Sequence, residues 1–186
     1  DKKTGFTIFW PDGGLDTGPI LYQKIVDIGP EDSTGSLYFN SLFPQGVNAL
    51  IEAAGMVRKG TAPRIEQDHS QATYEGWCKS KDVVINWNKP IDVIHNLIRG
   101  SDPSPGAKTY FNGAELSLYK SSRVSCANPA EVGEVMQITE EGILISCNGG
   151  AIRIEKIKPS GKNKSNAAEW SKILCIEPGS RFKDIK

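Results

Sequence analysis

The sequence predicts an α/β segment followed by an all-β unit, and three observations carry that prediction. Two short β-rich runs flank a glycine-rich turn and lead into a long helical pattern. Residues 60–81 are polar and charged around Pro63. Beyond residue 82 the apolar residues fall into short runs separated by turn signals. The 186 residues are 38% hydrophobic and 24% charged, a globular composition sufficient for one large domain or two small ones. A net charge of zero conceals an asymmetry. Residues 1–78 carry six basic and ten acidic side chains, and residues 79–186 carry sixteen and twelve. The halves therefore stand at −4 and +4, as expected of two domains with different partners. No apolar run reaches the roughly 18–20 residues of a membrane span, so no membrane partner is expected. No apolar stretch follows Asp1-Lys2-Lys3-Thr4 as it would in a signal peptide. Cys78, Cys126, Cys147 and Cys175 lie far apart without a Cys-x-x-Cys pair, which suits reduced thiols used for packing in a cytoplasmic protein.

Gly5–Trp10 is apolar and β-rich, and Pro11-Asp12-Gly13-Gly14 ends it as a turn. Ile20 through Ile28 alternates as a half-buried strand does. Asp32-Ser33-Thr34 offers a helix cap, behind which Leu37, Leu42, Val47, Leu50, Ile51, Ala54 and Val57 recur at helical spacing. Pro44 interrupts this pattern and predicts a kink or two consecutive helices, and Gly60 closes it. Such a stretch is the tail of an α/β layer, lacking the strands and crossovers of a complete one. Val83–Trp87 reads as a strand. Ile91, Ile94, Leu97 and Ile98 read as a short helix opened near Asn88/Pro90 and closed by Gly100. After the stiff turn Asp102–Gly106 a β meander is expected: Lys108–Phe111, the Asn112-Gly113 hairpin, Glu115–Val124, Gly133–Ile138, Gly142–Cys147 and Ala151–Ile157. Strands of this length and spacing predict a small OB-type barrel or a sandwich.

Chemistry concentrates in Pro11–Pro19. Glycines let a ligand approach the backbone, and a carboxylate at a strand end in a partly desolvated loop can have its pKa raised toward neutrality. The plainer alternative is a glycine-rich hairpin whose aspartates only cap turns. Phe6–Pro19 (FTIFWPDGGLDTGP) resembles the catalytic aspartate loop of the 10-formyltetrahydrofolate-dependent formyltransferases. The resemblance continues through Gln23-Lys24, Leu42–Gly46, Gly60–Pro63, Ala72–Tyr74, Ile85–Trp87, Ile98–Gly100 and Pro105–Ala107, and then through Gly150–Ile154, Lys158–Lys162 and Ala167–Trp170. Each motif is weak alone; their order and spacing together are specific.

The resemblance implies a Rossmann-like formyltransferase domain, of which residues 1–68 are the C-terminal part. A linker (69–79) and a C-terminal OB-like β barrel (80–186) follow. It makes Asp16 the catalytic aspartate, and it places Asp12, Gly13, Gly14 and Leu15 in the loop that holds the folate pteridine ring through backbone groups. It implies 10-formyltetrahydrofolate as co-substrate and no metal. In the family an Asn and a His stabilise the tetrahedral oxyanion, and the aspartate orients the His and assists proton transfer. The family's Asn-x-His precedes the aspartate loop and has no counterpart in residues 1–186. His69 reads as a solvated linker residue and His95 as a half-buried packing residue. The expectation is therefore the C-terminal part of a longer enzyme, with the missing N-terminal part as its partner.

The acceptor is less constrained. Arg153, Lys158, Lys162 and Lys164 form a basic region suited to nucleic-acid phosphates, and Arg153 falls on the face opposite Ile152 and Ile154. Glu155 and Glu169 interrupt it, and no interleaved aromatics mark a base-stacking platform, so a plain solvated face stands beside the nucleic-acid reading. Methionyl-tRNA is the leading acceptor, with the initiator tRNA as partner. Water, as in the hydrolase domain of 10-formyltetrahydrofolate dehydrogenase, comes next, and a sugar-nucleotide amine is third. A chain that only binds tRNA or a partner, without catalysis, is the alternative of a different class.

Overall fold

The structure, a computed structural model, describes residues 1–126 and 130–183. The chain divides into two compact units, Asp1–Gly76 and Trp77–Lys186.

In the first unit β1 (Lys3–Phe9) and β2 (Ile20–Asp27) pair antiparallel, and Phe6 stacks on Tyr22 across them. The register slips between Ile8 and Phe9, so Leu21 is the extra residue of a bulge at the mouth of the intervening loop. Ser33 caps α1 (Thr34–Leu37) reciprocally with Ser36, each side chain taking the other's backbone N–H at 3.0 Å. A wide π-helical turn over Tyr38–Leu42 then leads into α2 (Phe43–Lys59). Pro44 sits in the first turn of α2, where its missing N–H is not needed, so the expected interruption is a restart. Gly60 ends α2 in the left-handed region at φ 69°. The helix lies against the hairpin on its small residues: Ala49 and Ala53 are buried, whereas Phe43, Val47, Leu50, Ile51 and Val57 are exposed. The large apolar stripe that predicts the helix is thus not the face it buries within this unit.

The second unit opens with a 3-10 turn (Ser80–Val83) in place of the predicted strand at Val83–Trp87. Asp82 turns back to accept from the Lys79 N–H at 2.8 Å, and the segment beyond it makes a single parallel bridge, Val84 to Lys108. The alternation is real, since Val83, Ile85 and Trp87 are all buried, but no ladder accompanies it. Helix α3 (Ile91–Ser101) runs through Gly100, its predicted end, and stops at Asp102 because the residue before Pro103 is held out of the helical region. His95 on α3 is fully buried, not half-buried, with Nδ1 2.9 Å from the Ser121 hydroxyl.

The sheet comprises β3 (Ala107–Phe111), β4 (Ala114–Val124), β5 (Val135–Thr139), β6 (Gly142–Cys147), β7 (Gly150–Pro159) and β8 (Ser165–Asn166). Asn112 and Gly113, both at positive φ, form the tight turn between β3 and β4. The order is β3-β4-β7-β6-β5 with β8 on β7, every pair antiparallel. This is not the expected meander. The two longest strands, β4 and β7, pair along their length, which carries β5 to the far edge. Nor is a closed barrel found among the described residues, since the end strands β3 and β5 do not pair with each other. Instead residues 179–183 reach both edges. Gly179 N–H donates to the Val135 carbonyl and Val135 N–H to the Ser180 carbonyl, each at 2.8 Å; Phe182 N–H donates to Gly133 at 2.9 Å; and Lys183 and Tyr110 exchange bonds of 2.9 and 3.3 Å. The core beneath the sheet joins Ile85, Trp87, Ile94, Ile98, Leu116, Leu118, Ile143, Ile145, Ile152, Ile154, Ile157 and Phe182.

Helix α4 (Ala167–Leu174) follows β8, with Asn166 accepting from the Ala168 N–H at 2.7 Å as its cap. Among the tryptophans, Trp87 is buried in this unit and Trp77 is 92% exposed. Of the four cysteines only Cys147 is a buried packing residue; Cys78 and Cys175 are exposed.

Candidate functional site

The loop between β1 and β2 is closed at its base by the Trp10 N–H, which donates to the Pro19 carbonyl at 2.9 Å. Gly18 makes that closure possible: a Cβ there would run into the carbonyl oxygen of Trp10. Inside the loop Asp12 Oδ1 accepts twice, from the Gly14 N–H at 3.0 Å and from the Thr17 hydroxyl at 2.7 Å. These two donors, the hydroxyl first, hold the Asp12 carboxyl below its ordinary value. Asp16 sits at the bend with φ 54°, a left-handed conformation that non-glycine residues rarely adopt. Pro11 through Asp16 are exposed, and Leu15 is 71% exposed. The desolvated setting expected from the sequence is therefore not supplied by the residues of this unit.

A second segment braces the loop from outside. Ile65 exchanges backbone hydrogen bonds with Ile20 at 2.7 and 3.0 Å, continuing the hairpin by one bridge. Trp10 Nε1 donates to the Pro63 carbonyl at 2.8 Å, and the Arg64 guanidinium lies over the Trp10 ring, 4.6 Å from its centre. Gln67 then reaches across, its Nε2 donating to the Asp16 carbonyl at 2.9 Å and to the Gly18 carbonyl at 2.6 Å. Sequence reading passed over Gln67. A glutamine in a polar stretch carries no periodic or motif signal, and its partners lie 49 and 51 residues away.

Gly13 leaves open space around its backbone, and Leu15 presents an exposed apolar surface. The Gly14 N–H is already committed to Asp12. The structure brings Asp12, Gly13, Gly14, Leu15 and Asp16 together in one bend. His69 is exposed in a short 3-10 turn, and His95 belongs to the core of the other unit.

The basic region is less open than its composition implies. Arg153 pairs with Glu141 at 2.5 Å. Lys164 lies 3.5 Å from Asp102 and its ammonium stands 4.2 Å from the centre of the Tyr119 ring. Lys158 and Lys162 are exposed. The hollow beside Arg153 is lined by Glu140, Glu141 and Glu155 with Lys156 and Asn166, so carboxylates outnumber cations there.

Comparison with known proteins places these features in a family. Residues 1–54 match the family model described as formyl transferase, and residues 78–174 match formyl transferase, C-terminal domain. The human mitochondrial 10-formyltetrahydrofolate dehydrogenase is 42% identical over 159 residues, 81% of this chain and 17% of that protein. Methionyl-tRNA formyltransferase of Geobacter metallireducens is 34% identical over 183 residues, 98% of this chain and 58% of that protein. The N-formyltransferase of Helicobacter canadensis, solved with folinic acid and dTDP-3-aminofucose, superposes with a TM-score of 0.59 at 25% identity. That match covers 83% of this chain and 56% of the other. The chain thus spans less than a fifth of the first of these relatives and somewhat over half of the second.

Proposed function

The chain belongs to the formyl transferase family, and from that premise we propose that it is the part of a longer enzyme that carries the aspartate loop for formyl transfer from 10-formyltetrahydrofolate. One observation carries the reading. Asp16 is exposed at the tip of a bend whose backbone is held from within by Asp12 and from without by Gln67. A carboxylate so placed keeps its position without using its own oxygens, which leaves them for a proton or an imidazole.

In this reading Gly13 and Leu15 line one side of the pterin, and the formyl group on N10 lies beside Asp16. Water attacks the formyl carbon. Its proton passes toward Asp16 by way of a histidine supplied from the rest of the polypeptide. The tetrahedral intermediate collapses with cleavage of the C–N10 bond, N10 takes a proton, and formate and tetrahydrofolate leave. The oxyanion donors also come from outside residues 1–186. Partly enclosing the loop between the two parts would supply the desolvation that unit 1 does not provide alone.

Water is the acceptor best supported, by 42% identity to a 10-formyltetrahydrofolate dehydrogenase against 34% to a methionyl-tRNA formyltransferase. The ion pairs of Arg153 and Lys164 point the same way. Methionyl-tRNA remains the second reading on the exposed Lys158 and Lys162. The test is formate release from 10-formyltetrahydrofolate by the full-length polypeptide, with and without methionyl-tRNA. Asp16→Asn is expected to lower turnover by at least about 100-fold while the protein stays folded. Turnover within a few-fold of the unmodified enzyme removes Asp16 from the reaction, and formylation of the tRNA in preference to water replaces the acceptor.

A further inference from the structure

Resting on that reading, we infer that Gln67 is the positioning residue of the aspartate loop: it holds Asp16 in place through the backbone and touches no reacting atom. Its side-chain amide meets two acceptors, the carbonyls of Asp16 and Gly18, at 2.9 and 2.6 Å. Only the NH2 end of the amide can donate, so the two carbonyls together fix which way it faces. The two bonded residues flank Thr17, whose hydroxyl is tied to Asp12. One residue is thus gripped from the inside and its two neighbours from the outside.

Such a grip matters here because Asp16 stands at φ 54°, where an L residue is held only by its surroundings. No glycine relieves that position. Release of the two carbonyls lets the residue relax toward an ordinary conformation, which swings the carboxylate away from where a formyl carbon would sit. Gln67 is itself carried by a well-anchored strap, through the Ile65–Ile20 bridge and the Trp10–Pro63 hydrogen bond. Its removal should therefore loosen the loop without dismantling the hairpin.

The experiment compares Gln67→Met, Gln67→Lys and Asp16→Asn in the full-length polypeptide, reading kcat and KM for 10-formyltetrahydrofolate. Methionine keeps the bulk and loses both donors, whereas lysine keeps donors on a flexible stem. Gln67→Met is expected to lower kcat by about 10- to 100-fold with KM changed less than about threefold, the size of effect a misplaced catalytic group produces. Gln67→Lys should recover most of the loss. If Gln67→Met is insoluble, Gln67→Ser removes the reach without adding apolar bulk and is read in the same assay. Equal activity of the methionine and lysine variants, or a rise in KM with kcat unchanged, overturns the inference. Full activity of Asp16→Asn overturns the reaction assignment instead. An inactive Asp16→Asn beside a fully active Gln67→Met leaves the assignment standing and removes Gln67 alone.

Discussion

Phe182→Ala is the sharpest test of how the second unit holds together. Phe182 is 2% exposed, and its ring packs against Trp87 and Phe111 with centroid separations of 5.9 and 5.5 Å. Truncating a buried phenylalanine costs about 3–5 kcal/mol through lost transfer energy and the cavity left behind. The upper part of that range applies here. The two ring contacts are lost together, and Trp87 is held in place by its Nε1 donation to Thr109 Oγ1 at 2.9 Å and cannot move into the space. Against a total stability of about 5–15 kcal/mol for a typical domain, this is a large share. Urea unfolding followed by tryptophan fluorescence should place the midpoint lower by about 3 M for a slope near 1.5 kcal/mol per M. A shift corresponding to less than about 1 kcal/mol, with the slope unchanged, would refute the argument. It would mean that residues 179–183 lie on the sheet without completing its core.

Two further outcomes follow from the charge and thiol environments. The Asp12 carboxyl is held below its ordinary value of about 3.9 by the Thr17 hydroxyl and the Gly14 N–H, so the folded loop favours the ionised form. That contribution is present above the unfolded pKa and is lost as pH falls through the folded one. Exchange protection of the Gly14 amide should hold at pH 5 and fade below pH of about 3.9, and protection that is flat through this range would contradict the assignment. Burial pushes the Cys147 thiol up to about 12, so at pH 8 it carries almost no thiolate. Iodoacetamide should modify the exposed Cys78 and Cys175 and spare Cys147 until the protein is unfolded, as peptide mass mapping would reveal.

What the sequence made legible was local. Ser33, Pro44 and Gly60 act within a turn of their own positions, and each did in the fold what its chemistry predicts. Asn112-Gly113 and the strand positions around it were readable for the same reason. The misreadings concern partners distant in sequence. Nothing in β5 announces that β7 rather than β5 will lie beside β4, because strand order is decided by pairing between segments distant in sequence. Val83–Trp87 alternates as a strand does, yet a buried segment needs only one hydrogen-bonded neighbour to alternate. Helix α4 was overlooked because two turns are too few for a period to stand out, although Asn166 before Ala167 was a usable cap signal. At the candidate site the glycines and Asp16 stood out, and the bend they form was foreseen. Gln67 and the strap that carries it were not, since a single long-range hydrogen-bonding side chain leaves no pattern.

The way residues 179–183 fasten to both margins of the sheet has a consequence for synthesis. While the chain leaves the ribosome, β3 and the segment entering β5 present unsatisfied peptide groups, and they wait some seventy and forty-five residues for their mate. The unit therefore cannot mature strand by strand. Those margins are satisfied last, and until then they are edges open to pairing with another chain.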